Sequence, residues 1–143
     1  MKIIIPGEPQ GKARARTVRC KNTVHSFTPE KTVLYENLVK TIYLREIAEF
    51  FGDSDNKIPL CMTISAYFSV PKSFSKSKRL DALNNKIRPT KKPDADNIAK
   101  VICDALNGVA YVDDTQVTEL RVYKYYADVP RVEVEICENK QRI

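Results

Sequence analysis

The chain has 143 residues, with 24 lysines and arginines against 18 aspartates and glutamates, a net charge of +6, and 43% hydrophobic residues. This length suits a single domain, 1–143, with one hydrophobic core. No stretch approaches the ~18 apolar residues of a membrane span, and Pro6 and Gly7 interrupt the apolar start too early for a signal peptide, so we expect a cytoplasmic protein without membrane contact.

The first half of the chain predicts a strand, a basic segment and a long helix. Residues 2–5 are typical of an opening strand, and the alternating basic residues that follow fit either an edge strand or a loop. Thr28 and Pro29 are typical of a helix start and Gly52 of a helix end, which predicts a helix over 29–51. Its apolar face would comprise Leu34, Leu38, Ile42, Ala48 and Phe51.

The second half predicts strands and two further helices. Strict alternation of apolar residues predicts a strand over 60–70, which Pro71 ends. The later elements are a short helix near 77–83, a helix over 96–107, strands over 109–112 and 118–126, and a final strand over 132–136. Together these elements predict an α+β (mixed α/β) domain with a single sheet and two principal helices.

Basic residues are concentrated in two segments of the chain. Residues 11–21 and 72–92 together carry a charge of +12, while the remainder carries −6. A solvated surface normally mixes the two signs, so this segregation favours nucleic acid as the partner. The alternative is that both segments are charged loops without a partner.

Four cysteines are spread along the chain, each at least 34 residues from the next. A zinc site uses paired ligands at short spacing, whereas the single histidine, His25, is near only Cys20. We therefore expect Cys61, Cys103 and Cys137 to be small core residues in an intracellular, reduced protein.

An acidic segment begins at Asp94, directly after the second basic segment. On a helix, Asp96, Lys100 and Asp104 lie at i, i+4 and i+8 and therefore share one face. Each aspartate taken alone also fits a helix cap, and Asp96 with Lys100 fits an ordinary helical ion pair. Capping does not explain why a further pair of aspartates follows the helix.

That pair, Asp113 and Asp114, lies at a turn between two predicted strands. Its two side chains point in different directions, so one of them would face the helix start. This carboxylate, with Asp94 and Asp96, would form a three-oxygen site suited to Mg²⁺ or Mn²⁺. The similar DxDN sequence at 53–56 is followed by no amphipathic helix, and we interpret it as a structural loop.

Two motifs resemble those of a known family. The sequence DxDNxxKxxxDALNG followed by DDxQV, at 94–117, resembles the core signature of the RusA-type Holliday junction resolvases. The opening IPGEPQGKARAR, at 5–16, resembles the family's N-terminal G-x-P-x-x-K-x-R-x-R element. The resemblance covers essentially the whole chain and implies a RusA-like, homodimeric, Mg²⁺-dependent endonuclease that cuts four-way DNA junctions. Such enzymes are often encoded by phages and prophages.

The resemblance also implies roles for individual residues. Asp94, Asp96 and Asp114 would bind the metal and, with Lys100, form the catalytic set, and Asp113 would be a further metal-binding neighbour. Two symmetric nicks need two active sites, which explains the homodimer. The residues expected to hold branched DNA through its phosphates are Lys12, Arg14, Arg16, Lys76, Lys78, Arg79, Arg88, Lys91 and Lys92.

Two other functions fit the residues alone. A less selective metal-dependent nuclease would cut flaps, single strands or general duplex. A non-catalytic DNA-binding module would use its acids only as helix caps and would need no metal. Tyr123, Tyr125 and Tyr126 fit either core packing or a wedge inserted into DNA.

Overall fold

The computed structural model describes residues 1–140. Its first half comprises β1 (Lys2–Pro6), β2 (Arg16–Cys20), β3 (Thr23–Phe27), α1 (Glu30–Glu46) and β4 (Leu60–Ser69). Its second half comprises α2 (Lys76–Leu83), α3 (Ala95–Leu106), a 3₁₀ turn (Asp114–Gln116), β5 (Val117–Ala127) and β6 (Arg131–Glu138). Within these 140 residues, no helix is long and apolar enough to cross a membrane.

Four strands form the main sheet in the order β1-β6-β4-β5. β6 is antiparallel to both β1 and β4, whereas β4 and β5 are parallel and are joined by the segment that carries α2 and α3. Along the central strand β4, every second side chain is buried, from Leu60 to Phe68, and faces the helices α1 and α3. The alternate side chains of β4 point to the opposite face of the sheet and are only half-buried, and we call this the uncovered face. The α+β class and the β4 strand are therefore confirmed.

β2 and β3 form a separate two-stranded antiparallel hairpin, so the chain has a second, small sheet beside the single sheet that was predicted. The basic stretch forms the strand β2, one of the two possibilities the sequence left open, but its partner β3 was not predicted. All ten residues of the hairpin are exposed. The hairpin therefore adds no buried apolar surface to the core.

The predicted bounds of the first helix were wrong, and its predicted buried face was only partly right. α1 ends at Glu46, and the positive φ of Ala48, 54°, reverses the chain at the helix end. Ile42 is buried, as predicted, but Leu34 and Leu38 are exposed. The other residues of α1 that face the core are Thr32, Tyr35, Val39 and Tyr43.

The predicted strand over 109–112 was also wrong. Gly108 has a φ of +74°, and its N–H donates to the carbonyl of Tyr111 at 2.8 Å. The Ala110 N–H donates back to Leu106 at 2.9 Å, so the segment is a series of tight turns after α3. The Tyr111 hydroxyl donates to the Cys103 carbonyl at 2.8 Å and anchors these turns in the core.

The cysteines occupy different environments. Cys103 is buried, as predicted, and Cys61 is half-buried. The prediction was wrong for Cys137, which is exposed because it lies near the end of β6 on the uncovered face of the sheet, opposite Cys61.

Candidate active site

The helix α3 has one apolar and one acidic face, as its sequence predicts. Its apolar side is fully buried against the sheet by Ile98, Val101, Ile102 and Ala105. On the other side, Asp96 and Lys100 are exposed and Asp104 is half-buried. Asp94 is the N-cap residue, but its side chain makes no capping hydrogen bond. Capping therefore does not account for this carboxylate.

Lys100 pairs with Asp104 rather than with Asp96. The Lys100 ammonium lies 3.3 Å from one Asp104 carboxylate oxygen, and the Lys12 ammonium lies 3.2 Å from the other. Lys12 also contacts Glu36 on α1 at 2.5 Å. Burial opposes the charge on Lys12, but its two carboxylate partners outweigh this and raise the pKa of the ammonium. Asp104 is thus the ion-pair partner of Lys100.

The N-terminal loop packs directly on the start of α3. The Lys12 N–H donates to the Asn97 carbonyl at 3.0 Å. A Cβ atom on Gly11 would lie 2.9 Å from the Pro93 Cβ and 3.0 Å from the Asn97 Cβ, so only glycine fits this position. Sequence reasoning noted both motifs but not this contact between them. Gly11, directly before Lys12, was the residue in the sequence that could have indicated this close packing.

A buried glutamine fixes the 3₁₀ turn that follows the tight turns after α3. The Gln116 amide donates to the carbonyls of Phe51 and Ile58 at 3.0 and 3.1 Å. Its oxygen accepts from the N–H groups of Val112 and Asp113 at 2.8 and 3.2 Å. All of these groups lie in or beside loops, and one side chain joins them. Sequence reasoning missed Gln116, although the DDxQV motif contains it.

The Asp113 side chain and the loop at 53–56 each make hydrogen bonds that stabilise the local backbone. The Asp113 carboxylate caps the 3₁₀ turn and accepts from the Thr115 hydroxyl at 2.9 Å, a bond that lowers the pKa of Asp113. Its role as a metal ligand stays a prediction. In the loop at 53–56, the Asp53 carboxylate accepts from the N–H groups of Asp55 and Asn56, which confirms the interpretation of this DxDN sequence as a structural loop.

Three of the predicted catalytic residues share one shallow cleft. Asp96, Lys100 and Asp114 line a cavity of about 310 Å³ with the apolar side chains of α3 and β5 around them. Cys103 also lines it, but burial raises the pKa of its thiol to about 11, so it stays a neutral thiol near pH 7. The sequence motifs separated by the turns after α3 therefore meet at one place.

The fourth predicted residue, Asp94, opens onto an adjacent and larger cleft of about 910 Å³. This cationic cleft lies between the N-terminal loop, the start of α1 and the start of α3. Its basic lining residues are Lys12, Arg14, Arg16, Lys31 and Lys92. Lys31 was not predicted. The carboxylates suited to a metal ion therefore lie next to the basic side chains suited to phosphate.

The described carboxylates do not form a complete set of metal ligands, but two of them suit a divalent cation. Within residues 1–140, no three histidine, cysteine or acidic side chains are grouped closely enough to hold a metal ion together. Asp94, Asp96 and Asp114 also have no ion-pair partner among these residues. Mg²⁺ commonly uses one or two protein carboxylates and completes its shell with water and phosphate, which Asp96 and Asp114 could satisfy.

The second basic segment is only partly free for a ligand. Arg79 is paired with Asp128, and the Lys78 ammonium lies 4.1 Å from the ring centre of Phe74. Arg88 donates to the Lys124 carbonyl at 2.6 Å. Contacts of this segment with DNA stay a prediction.

Carboxylates and a lysine beside a cationic cleft are typical of nucleases. The family model described as Endodeoxyribonuclease RusA matches residues 6–137, so the chain belongs to the RusA family of junction-resolving endonucleases. The chain is also similar to the uncharacterized protein YqaN of Bacillus subtilis (strain 168), with 36% identity over 140 residues, 96% of each chain. The family resemblance inferred from the two motifs is confirmed.

Proposed function

We propose that this chain is a Mg²⁺-dependent, structure-selective endodeoxyribonuclease that resolves four-way DNA junctions by paired symmetric nicks in the cytoplasm. The observation that carries the proposal is the convergence of Asp96, Lys100 and Asp114 on one cleft. The adjacent cationic cleft, which Asp94 enters, supports a polyanionic substrate.

Asp96 and Asp114 would hold the metal ion, and Asp94, which opens onto the adjacent cleft, would join them as a third ligand only when the ion is bound. All three are hard oxygen donors, which suit Mg²⁺ and allow Mn²⁺ as a substitute. When bound, the ion supplies Lewis-acid chemistry, lowering the pKa of water and neutralising charge on a phosphate oxygen.

Lys100 would stabilise the negative charge that develops on the scissile phosphate. Its ammonium is exposed on the same cleft as the two carboxylates and is held by Asp104. A fixed cation aimed at developing charge lowers the barrier because it needs no reorganisation during the reaction. Lys12 would act as a positioning residue, since it holds the other oxygen of Asp104.

The cationic cleft would bind the DNA backbone next to the cutting site. Arg14, Arg16 and Lys92 are exposed there and, within the described residues, have no carboxylate partner. Phosphate contacts position a duplex arm without reading its sequence. Since each copy of the chain offers one such site, two symmetric nicks call for a homodimer.

The test is cleavage of a labelled synthetic four-way junction beside a linear duplex made from the same arm sequences, with Mg²⁺ or with EDTA. We expect paired nicks in the junction alone, lost in EDTA, from a species that sediments as a dimer. Equal cutting of the linear duplex would replace junction resolution by a less selective nuclease. Tight junction binding without cutting under Mg²⁺ or Mn²⁺ would indicate a non-catalytic DNA-binding module.

A further inference from the structure

The uncovered face of the main sheet carries a row of aromatic and cationic side chains. Tyr67 of β4 lies opposite Tyr125 of β5 and opposite Arg131 of β6. The two rings are stacked, with centres 5.4 Å apart and planes at 26°. The Arg131 guanidinium carbon lies 3.9 Å from the centre of Tyr67, and that of Arg88 lies 4.2 Å from the centre of Tyr125. Cations thus close this row at both ends.

The next row along the same strands is incomplete. Tyr123 lies beside Tyr125, with ring centres 6.0 Å apart and planes at 16°, and is 39% exposed. Its neighbour across β4 is Ser65, where the first row has Tyr67. Because serine is small, a depression of about 320 Å³ remains, lined by Ser65, Tyr67, Asn85, Tyr123 and Tyr125. One planar group is missing from an otherwise regular stack.

We infer that this depression, the Tyr123 slot, binds an unstacked base of single-stranded DNA. A base is planar and aromatic, so it can take beside Tyr123 the place that Tyr67 takes beside Tyr125. Asn85 at the rim offers an amide that can both donate and accept hydrogen bonds at a base edge. A duplex offers no such base, because its bases are stacked on each other.

The charges around the Tyr123 slot favour a strand of DNA over a second copy of this chain. Arg88 lies over the Tyr125 ring on this face and has no carboxylate partner in the described part of the chain. The acidic side chain of the same row, Glu133, lies across Ser65 from Tyr123 and is compensated by Lys2 and Arg131. In a two-fold contact the same patch meets itself, so the uncompensated charge of Arg88 would meet a patch of the same sign. A DNA backbone would neutralise this charge instead.

The inference rests on the proposed function only in taking DNA as the ligand, since the Tyr123 slot lies outside the carboxylate cleft and needs no metal. The test is fluorescence anisotropy in EDTA with a labelled oligothymidylate of about 10 nucleotides, beside a labelled duplex of the same length. Four chains are compared: the unchanged protein, Tyr123→Leu, Tyr123→Phe and Ser65→Phe. Tyr123→Phe keeps the ring, whereas Ser65→Phe fills the slot from within.

We expect Tyr123→Leu and Ser65→Phe to weaken single-strand binding about 5- to 100-fold, with Tyr123→Phe and duplex binding unchanged. Unchanged single-strand binding by both weakened variants would overturn the inference, as would an equal loss of duplex binding. A lower sedimentation mass of Tyr123→Leu would also overturn it, because the face would then be an interface between copies of the chain.

Two further measurements keep the test independent of folding and of cleavage. Photo-crosslinking of the unchanged protein to a strand with 5-iododeoxyuridine should modify the peptide that contains Tyr123, and crosslinks elsewhere alone would contradict the inference. The Asp96→Asn variant should bind the strand normally. Ring-dependent binding without any cleavage would refute the proposed function alone, whereas cleavage with ring-independent binding would refute this inference alone.

Discussion

The Lys12 ammonium lies 3.2 Å from the Asp104 carboxylate and joins the N-terminal loop to the last turn of α3. The two residues belong to the two motifs that carry the family resemblance, so the motifs form one structural unit. Asp104 also holds Lys100 at 3.3 Å through its other oxygen. Lys12 therefore helps to hold Lys100 in position through Asp104. Its contact with a DNA phosphate stays a prediction.

The first prediction concerns this network. Lys12→Met should lower the single-turnover rate of junction cleavage about 10- to 100-fold, because Asp104 loses one partner and Lys100 its fixed position. Junction affinity should change little. Arg14→Met is the control. It removes one charge from the same loop and should weaken junction affinity without lowering the cleavage rate of the bound junction. If Lys12→Met altered affinity alone, its role would be that of an ordinary phosphate contact.

The second prediction concerns Gln116. Gln116→Leu leaves two carbonyls and two N–H groups without their partner and should lower the free energy of unfolding by about 2–4 kcal/mol. Urea denaturation measures this directly. Thr115→Ala, on the exposed side of the same turn, should cost less than about 1 kcal/mol. Equal losses from the two substitutions would show that the buried amide does not anchor the turn.

The third prediction concerns acid stability. Burial of Glu133 opposes its ionisation, but the pairs with Lys2 and Arg131 outweigh this, so the pKa of the carboxyl is lowered from 4.5. Its contribution is then complete above the ordinary pKa and is lost as the pH falls through the lower, folded-state value. Glu133→Gln lacks this contribution at every pH.

The difference in free energy of unfolding between the unchanged protein and Glu133→Gln should therefore shrink between about pH 6 and pH 3. Urea denaturation at both values measures it. Glu135→Gln is the control, since this carboxylate is exposed and lies 3.9 Å from Lys2. A difference that stayed constant with pH would mean that the ion pairs of Glu133 do not stabilise the fold.

The fourth prediction concerns the cationic cleft. Arg14→Gln and Lys92→Gln should each reduce the slope of log affinity against log salt for junction binding by about 1, because each removes one phosphate contact. Anisotropy titrations at several salt concentrations give this slope. Arg45→Gln, at the end of α1 and outside both basic segments, should leave it unchanged. If Arg14→Gln and Lys92→Gln left the slope as unchanged as Arg45→Gln does, the DNA would not bind in this cleft.

The fold was predictable where one pattern dominated. Strict alternation in β4 and a wide apolar face on α3 each allow a single orientation. In α1, two sets of apolar residues satisfy the helical period, one through Leu34 and one through Tyr35. Only packing against the sheet and α3 decides between them, so the sequence alone favoured the wrong one. The β2–β3 hairpin buries no apolar face, so no apolar pattern in the sequence could predict it.

The sequence predicted that Asp96, Lys100 and Asp114 would lie together, but not how Lys100 is paired. Lys100 has an aspartate four residues away on either side, Asp96 and Asp104, and spacing treats the two as equivalent. Lys12 reaches Asp104 from the N-terminal loop, which tips the network toward that side. Contacts between segments about 60 to 90 residues apart carry no local signal, which is also why the roles of Gly11 and Gln116 were not predicted.

The most direct test of the account is the single-turnover rate of junction cleavage in Mg²⁺ for two matched variants. Asp96→Asn and Asp55→Asn change the same position of the two DxDN sequences, one in the cleft and one in the structural loop. The account predicts a loss of at least about 100-fold for Asp96→Asn, with junction binding retained, and an unchanged rate for Asp55→Asn. Unimpaired cleavage by Asp96→Asn would contradict it.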